Sequence, residues 1–242
     1  MRQHLWMQPV PDALERLLSR EHSAQRAFAY PAEQWREWTG HLDGNRAMLD
    51  ALPTAVDRTT TANLVEDLLP DDVTAAFTVA MIWGHGGSGY GPYRTARILT
   101  GGVLSPKAAP VAPATRDRLA KSAEIARDLG AVAGYRVLNN QPGKVAGLGP
   151  AFFTKWLYFT TARGDLRTAT AAPVLDALVI SWLASTAGLL LRAGCTDDYA
   201  RYVEALMTWG APHGLSASEV EERIFGLVPR RQSRAPRART PQ

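Results

Sequence analysis

The chain is poor in the residues that most metal and disulfide scaffolds need. It has one cysteine, Cys195, in 242 residues, which excludes an internal disulfide framework and a cysteine-based zinc site. We expect a buried thiol in a reducing cytoplasm. The longest apolar stretch, residues 174–191, is interrupted by Asp176 and several hydroxyl side chains, so no membrane anchor is predicted. The first eleven residues lack a basic segment followed by an apolar core, and we expect no signal peptide.

Lysine is also scarce. Only four of the 27 basic residues are lysines. A coding bias towards arginine is the simplest explanation for the scarcity of lysine. Each of the four lysines can still be examined for chemistry that a guanidinium group does not supply. The four are Lys107, Lys121, Lys144 and Lys155.

The positive charge is unevenly distributed. The net charge is +4, yet residues 229–242 contain five arginines and no acid, which leaves a formal charge of −1 for residues 1–228. The composition of this tail predicts disorder. Such an arm either holds a polyanion nonspecifically or only aids solubility. The basic pI of the chain therefore gives little support for nucleic-acid binding. Evidence for a binding site must come from the local arrangement of residues.

The hydrophobic periodicity predicts an all-α chain of eight to eleven helices. Residues 106–113 contain three prolines and predict a surface connector, which could join two helical lobes within one domain, 1–228. Ser218 and Glu221 are spaced as a capping box, Gly130 is placed to end a helix, and Pro150 suits a first helical position. The predicted helices span 14–23, 32–42, 62–69, 73–83, 115–130, 152–160, 174–193 and 196–209.

A glycine-rich loop covers residues 84–91. Its glycines match G-x-G-x-x-G, but the early Pro92 and the lack of an acid between Tyr90 and Thr115 argue against a dinucleotide site. Two interpretations stay open, a turn with only a structural role and a backbone that a ligand can approach closely. For the second, the candidates that could stack against a ligand are Trp83, His85, Tyr90 and Tyr93.

The segment from Lys144 to Phe159 carries a more informative pattern. Gly147, Leu148 and Gly149 form a glycine–hydrophobic–glycine turn that opens a helix. Free amides and the helix dipole at such a turn favour a bound anion, for example a phosphate. Lys144, just before the turn, would strengthen a phosphate contact. Alone, the turn is a weak signal.

Lys155 follows the turn, in a helix where aromatic and apolar residues surround it. A lysine in apolar surroundings has a lowered pKa and a free lone pair, so its amine can attack an electrophilic carbon and form a Schiff base. The alternative is that Lys155 extends its amine to solvent from an amphipathic helix.

Asp176 lies 21 residues further on, at the start of a very apolar helix. It can act as the N-terminal cap of that helix. It can also face a cavity, activate a nucleophile and stabilise an oxocarbenium-like transition state at a sugar carbon.

The order of turn, lysine and aspartate resembles that of the helix-hairpin-helix glycosylases of base excision repair. The chain is most similar to the 8-oxoguanine DNA glycosylases, including their archaeal branch, over residues 138–182. The resemblance assigns Gly147–Gly149 to the hairpin, Lys155 to the catalytic lysine, and Pro173, Val174 and Asp176 to the aspartate loop. The chain departs from the family where Val145 and Ala146 replace the usual Leu-Pro, and where Leu175 separates Val174 from the acid.

This resemblance implies an all-α, two-lobed helix-hairpin-helix fold with a DNA groove. It implies a glycosylase that excises 8-oxoguanine through a lysine Schiff base, with associated AP lyase activity. The expected catalytic residues are Lys155 and Asp176, with Lys144, Gly147, Leu148 and Gly149 on the DNA backbone. The residues expected to recognise the base are Trp83, His85 and Tyr93. The expected partner is damaged double-stranded DNA, bound by a monomer in the cytoplasm at the nucleoid. Neither a metal nor an organic cofactor is expected. Two alternatives are a noncatalytic DNA-binding protein on the same fold and a helical protein-interaction module.

Overall fold

The computed structural model of the chain describes residues 9–21 and 24–228. Within these residues it has twelve α-helices and one two-stranded antiparallel sheet, in which Phe28 pairs with Val56. The all-α prediction is therefore confirmed. No helix of the described residues is long and apolar enough to cross a membrane. The arginine-rich tail, 229–242, lies outside the described residues.

The bounds of the elements place the candidate residues at helix ends and in the loops between helices. Two short 3-10 turns, Pro106–Ala108 and Ala211–His213, complete the regular structure of the described residues. The elements are α1 Asp12–Leu18, β1 Phe28–Ala29, α2 Ala32–Thr39, α3 Asn45–Ala51, β2 Ala55–Val56, α4 Arg58–Leu68, α5 Val73–His85, α6 Gly91–Leu99, α7 Pro113–Leu129, α8 Ala131–Asn139, α9 Pro150–Ala162, α10 Ala177–Thr186, α11 Thr196–Gly210 and α12 Ala217–Leu227.

Two apolar helices, α5 and α9, pack against each other in the core. Phe77 of α5 and Trp156 of α9 make an edge-to-face contact with ring centroids 5.6 Å apart. The Trp156 indole N–H donates a 3.0 Å hydrogen bond to Ser122 in α7. Helices that are apolar on all sides bury themselves completely. This packing carries Lys155, the neighbour of Trp156, into the interior.

Several predicted helix boundaries are confirmed. Helix α7 ends at Gly130, whose φ of +87° is in the region that favours glycine. Helix α9 begins at Pro150. Proline suits this position because the first N–H groups of a helix have no partner within the helix, so the absence of an N–H costs no hydrogen bond.

The predicted helix over 174–193 is wrong at both ends. Asp176 caps a shorter helix, α10, which ends at Thr186. Gly188, with φ of +64°, turns the chain away. The loop that follows is fastened to α8, because Tyr135 donates a hydrogen bond to the carbonyl of Ala193 and Asn139 donates one to Gly194. An apolar run alone does not show where a helix ends.

The capping box is also displaced from its predicted position. Ser216 and Glu219 make it, with the Ser216 N–H donating to Glu219 at 2.9 Å. Ser218 and Glu221 instead lie buried within α12. Helices α3, α6 and α8, which have seven to nine residues, were not predicted.

Two other expectations concern the periphery of the fold. The proline-rich connector joins α6 to α7 and includes the short turn Pro106–Ala108; the two lobes stay a prediction. Cys195 is partly exposed rather than buried, and its sulfur accepts a 3.4 Å hydrogen bond from Arg192.

Candidate active site

A helical hairpin joins α8 to α9. The turn between them is anchored from inside by Val145 and Leu148, which are both buried. The Leu148 N–H donates to the Val145 carbonyl at 3.2 Å, and Gly147 adopts a φ of +78° that favours glycine. Gly149 then caps α9. The predicted glycine–leucine–glycine turn is thus a hairpin, with the Leu148 side chain directed into the core.

The outer face of this hairpin is open. Among the described residues, the N–H groups of Gly147, Gly149 and Ala151 have no hydrogen-bond partner. A Cβ atom built on Gly149 would meet nothing within 4 Å. Lys144 is exposed beside the turn, and its carbonyl accepts a 3.2 Å hydrogen bond from Arg118. Free amides at the start of α9 and these two cations make a surface that suits an anion.

Lys155 lies on the inner side of α9, where its amine reaches the end of α5. Its Nζ donates a 2.7 Å hydrogen bond to the carbonyl of Gly84. The Nζ also lies 4.8 Å from the ring centroid of Phe152 and 5.8 Å from that of Trp83. The last carbonyls of a helix have no partner within the helix and carry partial negative charge. Gly84 therefore holds the lysine in one position.

Burial lowers the pKa of Lys155 below its ordinary value. Asp176 and Glu221 oppose this effect by favouring the ammonium form, whereas Arg58 and Arg94 add to it. Desolvation disfavours the charged form of a lysine. The neutral amine, which has the lone pair that a nucleophile needs, is thus more populated than in an exposed lysine.

Asp176 fulfils the capping role and also faces the cavity. Its Oδ1 accepts hydrogen bonds from the N–H groups of Leu178 and Val179, at 2.9 and 3.0 Å. The cap prediction is confirmed. The same side chain lines the cavity into which Lys155 projects. A carboxylate whose oxygen is fixed by two amides has a defined orientation towards whatever occupies that cavity.

The chain before Asp176 is held rigidly by neighbouring helices. The Leu175 N–H donates to the hydroxyl of Thr154, the residue before Lys155, at 3.1 Å. Two tyrosines of α11 donate to the preceding carbonyls, Tyr199 to Pro173 at 2.9 Å and Tyr202 to Val174 at 2.8 Å. The positions of the lysine and the aspartate are therefore coupled through a direct hydrogen bond between their neighbours.

The cavity has a volume of about 750 Å³, within the range of small-molecule sites. Two of the predicted base-recognition residues, Trp83 and His85, line it. The third, Tyr93, is not among its lining residues and packs against Trp38, with ring centroids 5.1 Å apart. The remaining lining comes from residues 24–29, Arg58, Gly84, Gly86, Gly87, Val174, Glu221, Glu222, Phe225 and Gly226.

Comparison with known proteins identifies the family. A family model described as "Putative 8-oxoguanine DNA glycosylase OGG-like protein" matches residues 21–225. The chain belongs to this OGG-like family. The match covers most of the chain and includes the hairpin, Lys155, Asp176 and the cavity wall from α12. No curated protein and no solved structure gives a significant match.

In this OGG-like chain, Trp83 and His85 offer different chemistry to the cavity. The Trp83 indole N–H donates to Gln25 at 2.8 Å, and its ring lies 5.1 Å from the Arg58 guanidinium carbon. His85 stacks on Phe152 with centroids 4.2 Å apart. Burial, with the charges of Lys155 and Arg94, lowers the pKa of His85 to about 3. The imidazole is neutral at physiological pH and can donate one hydrogen bond and accept one.

The residues that sequence reasoning missed form an ion pair beneath Trp83. Arg58 in α4 contacts Glu221 in α12 at 3.2 Å and Glu222 at 3.6 Å. Burial raises the pKa of Glu221 to about 7, although Arg58 opposes the shift. Arg58 and Glu221 are 163 positions apart, and only tertiary structure brings them together. Phe225, one turn after Glu221 on α12, was also missed as a lining residue.

Proposed function

We propose that the chain is a DNA glycosylase that excises 8-oxoguanine, with Lys155 as nucleophile and with associated AP lyase activity. The observation that carries this proposal is that Lys155 and Asp176 line one cavity, directly behind a hairpin with an open amide surface. A protein that only binds DNA has no need of both groups in one cavity. The choice of 8-oxoguanine comes from family membership.

Duplex DNA would lie against the hairpin. The free amides of Gly147 and Gly149, with the exposed Lys144, would hold backbone phosphates. Such contacts fix the register of the protein on DNA without reading sequence. Because the proposed phosphate-binding and catalytic residues all belong to one chain, a monomer suffices, acting at the nucleoid in the cytoplasm.

The damaged nucleotide must leave the helix before the cavity can accept it. Trp83 and Phe225 supply apolar ring surface there, and the neutral His85 supplies hydrogen bonding without charge. The loss of base stacking on extrusion would be offset in part by stacking against these rings.

The chemistry begins with the neutral amine of Lys155. Its lone pair forms a bond to C1′ of the sugar as the bond from C1′ to the base breaks, and the departing base keeps that electron pair and takes up a proton. The Asp176 carboxylate stabilises the positive charge that develops on the sugar and accepts a proton from the attacking nitrogen. The sugar ring then opens as the C1′–O4′ bond breaks and O4′ takes up a proton, which leaves C1′ doubly bonded to the lysine nitrogen as an imine. Loss of a C2′ proton to a base forms a C2′–C3′ double bond, and the C3′–oxygen bond breaks with its electron pair on the departing phosphate ester.

Base release from a duplex that contains one 8-oxoguanine tests this proposal. Wild type should release the base and cleave the strand, whereas Lys155→Gln should do neither. The matched control is Lys121→Gln, since Lys121 is exposed and pairs with Glu124 on the surface of α7; this variant should retain full activity. Undiminished base release by Lys155→Gln would contradict the proposal.

One observation favours a second candidate, a noncatalytic DNA-binding protein. The hydrogen bond from Lys155 to Gly84 also satisfies a helix-end carbonyl, which is a structural role in itself. This candidate predicts salt-sensitive DNA binding by wild type with no base release from any damaged duplex.

A further inference from the structure

Arg94 contacts both the hairpin and the aromatic ring beside Lys155. It belongs to α6, and its Nη2 donates a 3.3 Å hydrogen bond to the carbonyl of Gly147 in the hairpin turn. Its guanidinium carbon lies 4.4 Å from the ring centroid of Phe152. Phe152 stands three residues before Lys155, on the same side of α9. One side chain thus touches both the proposed phosphate-binding turn and the aromatic ring beside the lysine.

The charge of Arg94 is not neutralised by an acid. Among the described residues, the Gly147 carbonyl accepts its side-chain hydrogen bond, and no carboxylate pairs with it. By contrast, Arg36 pairs with both Glu33 and Asp50. A guanidinium has five N–H donors in a fixed fork. Most of the donors of Arg94 are therefore available to a ligand.

The surroundings of Arg94 suit a phosphate. Gly147, whose carbonyl Arg94 contacts, belongs to the turn that carries the free amides of Gly149 and Ala151. A guanidinium fork binds phosphate oxygens in pairs, and amides at a helix N-terminus add further donors. Both kinds of donor are thus present on one short stretch of surface next to the cavity.

We propose that Arg94 is a positioning residue that holds the DNA phosphate next to the extruded nucleotide, between the hairpin turn and Lys155. The proposal rests on the proposed function and adds a contact to it. Because Arg94 also touches the ring beside Lys155, the phosphate and the amine are placed relative to one another by one side chain.

The charge of Arg94 has a second consequence. The groups that act on the Lys155 amine are Asp176 and Glu221, which raise its pKa, and Arg58 and Arg94, which lower it. A bound phosphate would favour the ammonium form. Arg94 offsets that effect, so that the amine can still lose its proton while DNA is bound.

Salt-dependent binding tests the phosphate contact without any chemistry. The probe is a duplex with a stable tetrahydrofuran abasic analogue, and the variants are Arg94→Gln, Arg94→Lys and the control Arg36→Gln. Each phosphate contact adds about 0.9 to the slope of log affinity against log salt. Arg94→Gln should reduce the slope by about one, and Arg94→Lys and Arg36→Gln should change it little. A slope for Arg94→Gln equal to that of Arg36→Gln overturns the proposal.

Borohydride trapping on 8-oxoguanine DNA, measured against pH, tests the positioning role. Arg94→Gln should shift the rise in trapping to higher pH, and Arg94→Lys, which keeps the charge, should restore the wild-type profile. Circular dichroism confirms that each variant folds. An unshifted profile in a folded Arg94→Gln overturns the role in positioning the amine. If wild type gives no adduct, the proposed function fails, whereas the salt slope still decides whether Arg94 holds a phosphate.

Discussion

Lys155 donates a 2.7 Å hydrogen bond to the carbonyl of Gly84. This contact joins two sequence motifs that lie 71 positions apart, the glycine-rich loop and the helix after the hairpin. It also places the amine at the carbonyl end of α5, where a cation is favoured but a neutral amine loses that attraction. A neutral amine can keep this hydrogen bond through one N–H and attack a sugar carbon with its lone pair.

The first concerns the space beside the lysine. A Cβ atom on Gly84 would lie 3.0 Å from the Lys155 Cδ, whereas one on Gly194, which is not among the cavity-lining residues, would meet nothing within 4 Å. Gly84→Ala should displace the lysine stem and slow borohydride trapping by about 10- to 100-fold, because small misplacements of a reacting group cost that much. Gly194→Ala should trap at the wild-type rate. Equal rates for the two variants would show that the position of the stem does not matter.

The second concerns pH. Burial lowers the pKa of Lys155, so the neutral fraction at a given pH exceeds that of an exposed lysine. Trapping should rise with pH and level off below about 10.4, the ordinary lysine value. Because the pKa of His85 is lowered to about 3, no step from that histidine should appear near pH 6.5. A rate that still rises through pH 10.4 would contradict the lowered pKa.

The third separates the two roles of Asp176. Asp176→Asn keeps a capping oxygen and should preserve stability, whereas Asp176→Ala should lose about 1 kcal/mol of unfolding free energy. Both remove the carboxylate and should reduce base release. Asp72 is a matched control, because it caps α5 through Thr74 and Ala75 and is not among the cavity-lining residues. Asp72→Asn should retain full base release. Normal base release by Asp176→Asn would show that Asp176 acts only as a helix cap.

The fourth concerns the buried ion pair. Removal of Arg58 leaves Glu221 buried without its cation, and Arg58→Met should cost about 3–5 kcal/mol of unfolding free energy at pH 8. The pKa of Glu221 is already raised to about 7 and should rise further, so at pH 5 the group is protonated and the loss should be smaller. Chemical denaturation at both pH values measures this. The exposed pair of Arg36 is the comparison, because Arg36→Met removes a solvent-screened ion pair and should lose much less stability than Arg58→Met. Equal losses at the two pH values for Arg58→Met would contradict the buried charge.

The sequence predicts the helices whose apolar pattern repeats over several turns, together with the ends set by Gly130 and Pro150. It fails for the short helices α3, α6 and α8 and for residues 187–193, a loop that its periodicity does not separate from α10. Hydrogen bonds from Tyr135 and Asn139 of α8 hold the end of this loop, and contacts so distant in sequence leave no local pattern.

The residues of the candidate site could likewise be predicted only in part from the sequence. Lys155 and Asp176 could be selected because each is a charged residue in an apolar segment, which is unusual in any sequence. Arg58 and Glu221 could not, because each stands in an amphipathic helix where a charge needs no special explanation. Tyr93 was selected because it lies near the glycine loop, yet it follows α6 away from the cavity and packs on Trp38.

Peptide mapping of the trapped adduct tests the central claim most directly. Wild type is incubated with 8-oxoguanine duplex and borohydride, digested with trypsin, and analysed by mass spectrometry. The chain has only four lysines, so the assignment is unambiguous. We predict an adduct on Lys155, seen as an uncleaved peptide of residues 145–163 that carries the sugar remnant. An adduct on Lys144, Lys107 or Lys121, or base release with no lysine adduct, would contradict the account.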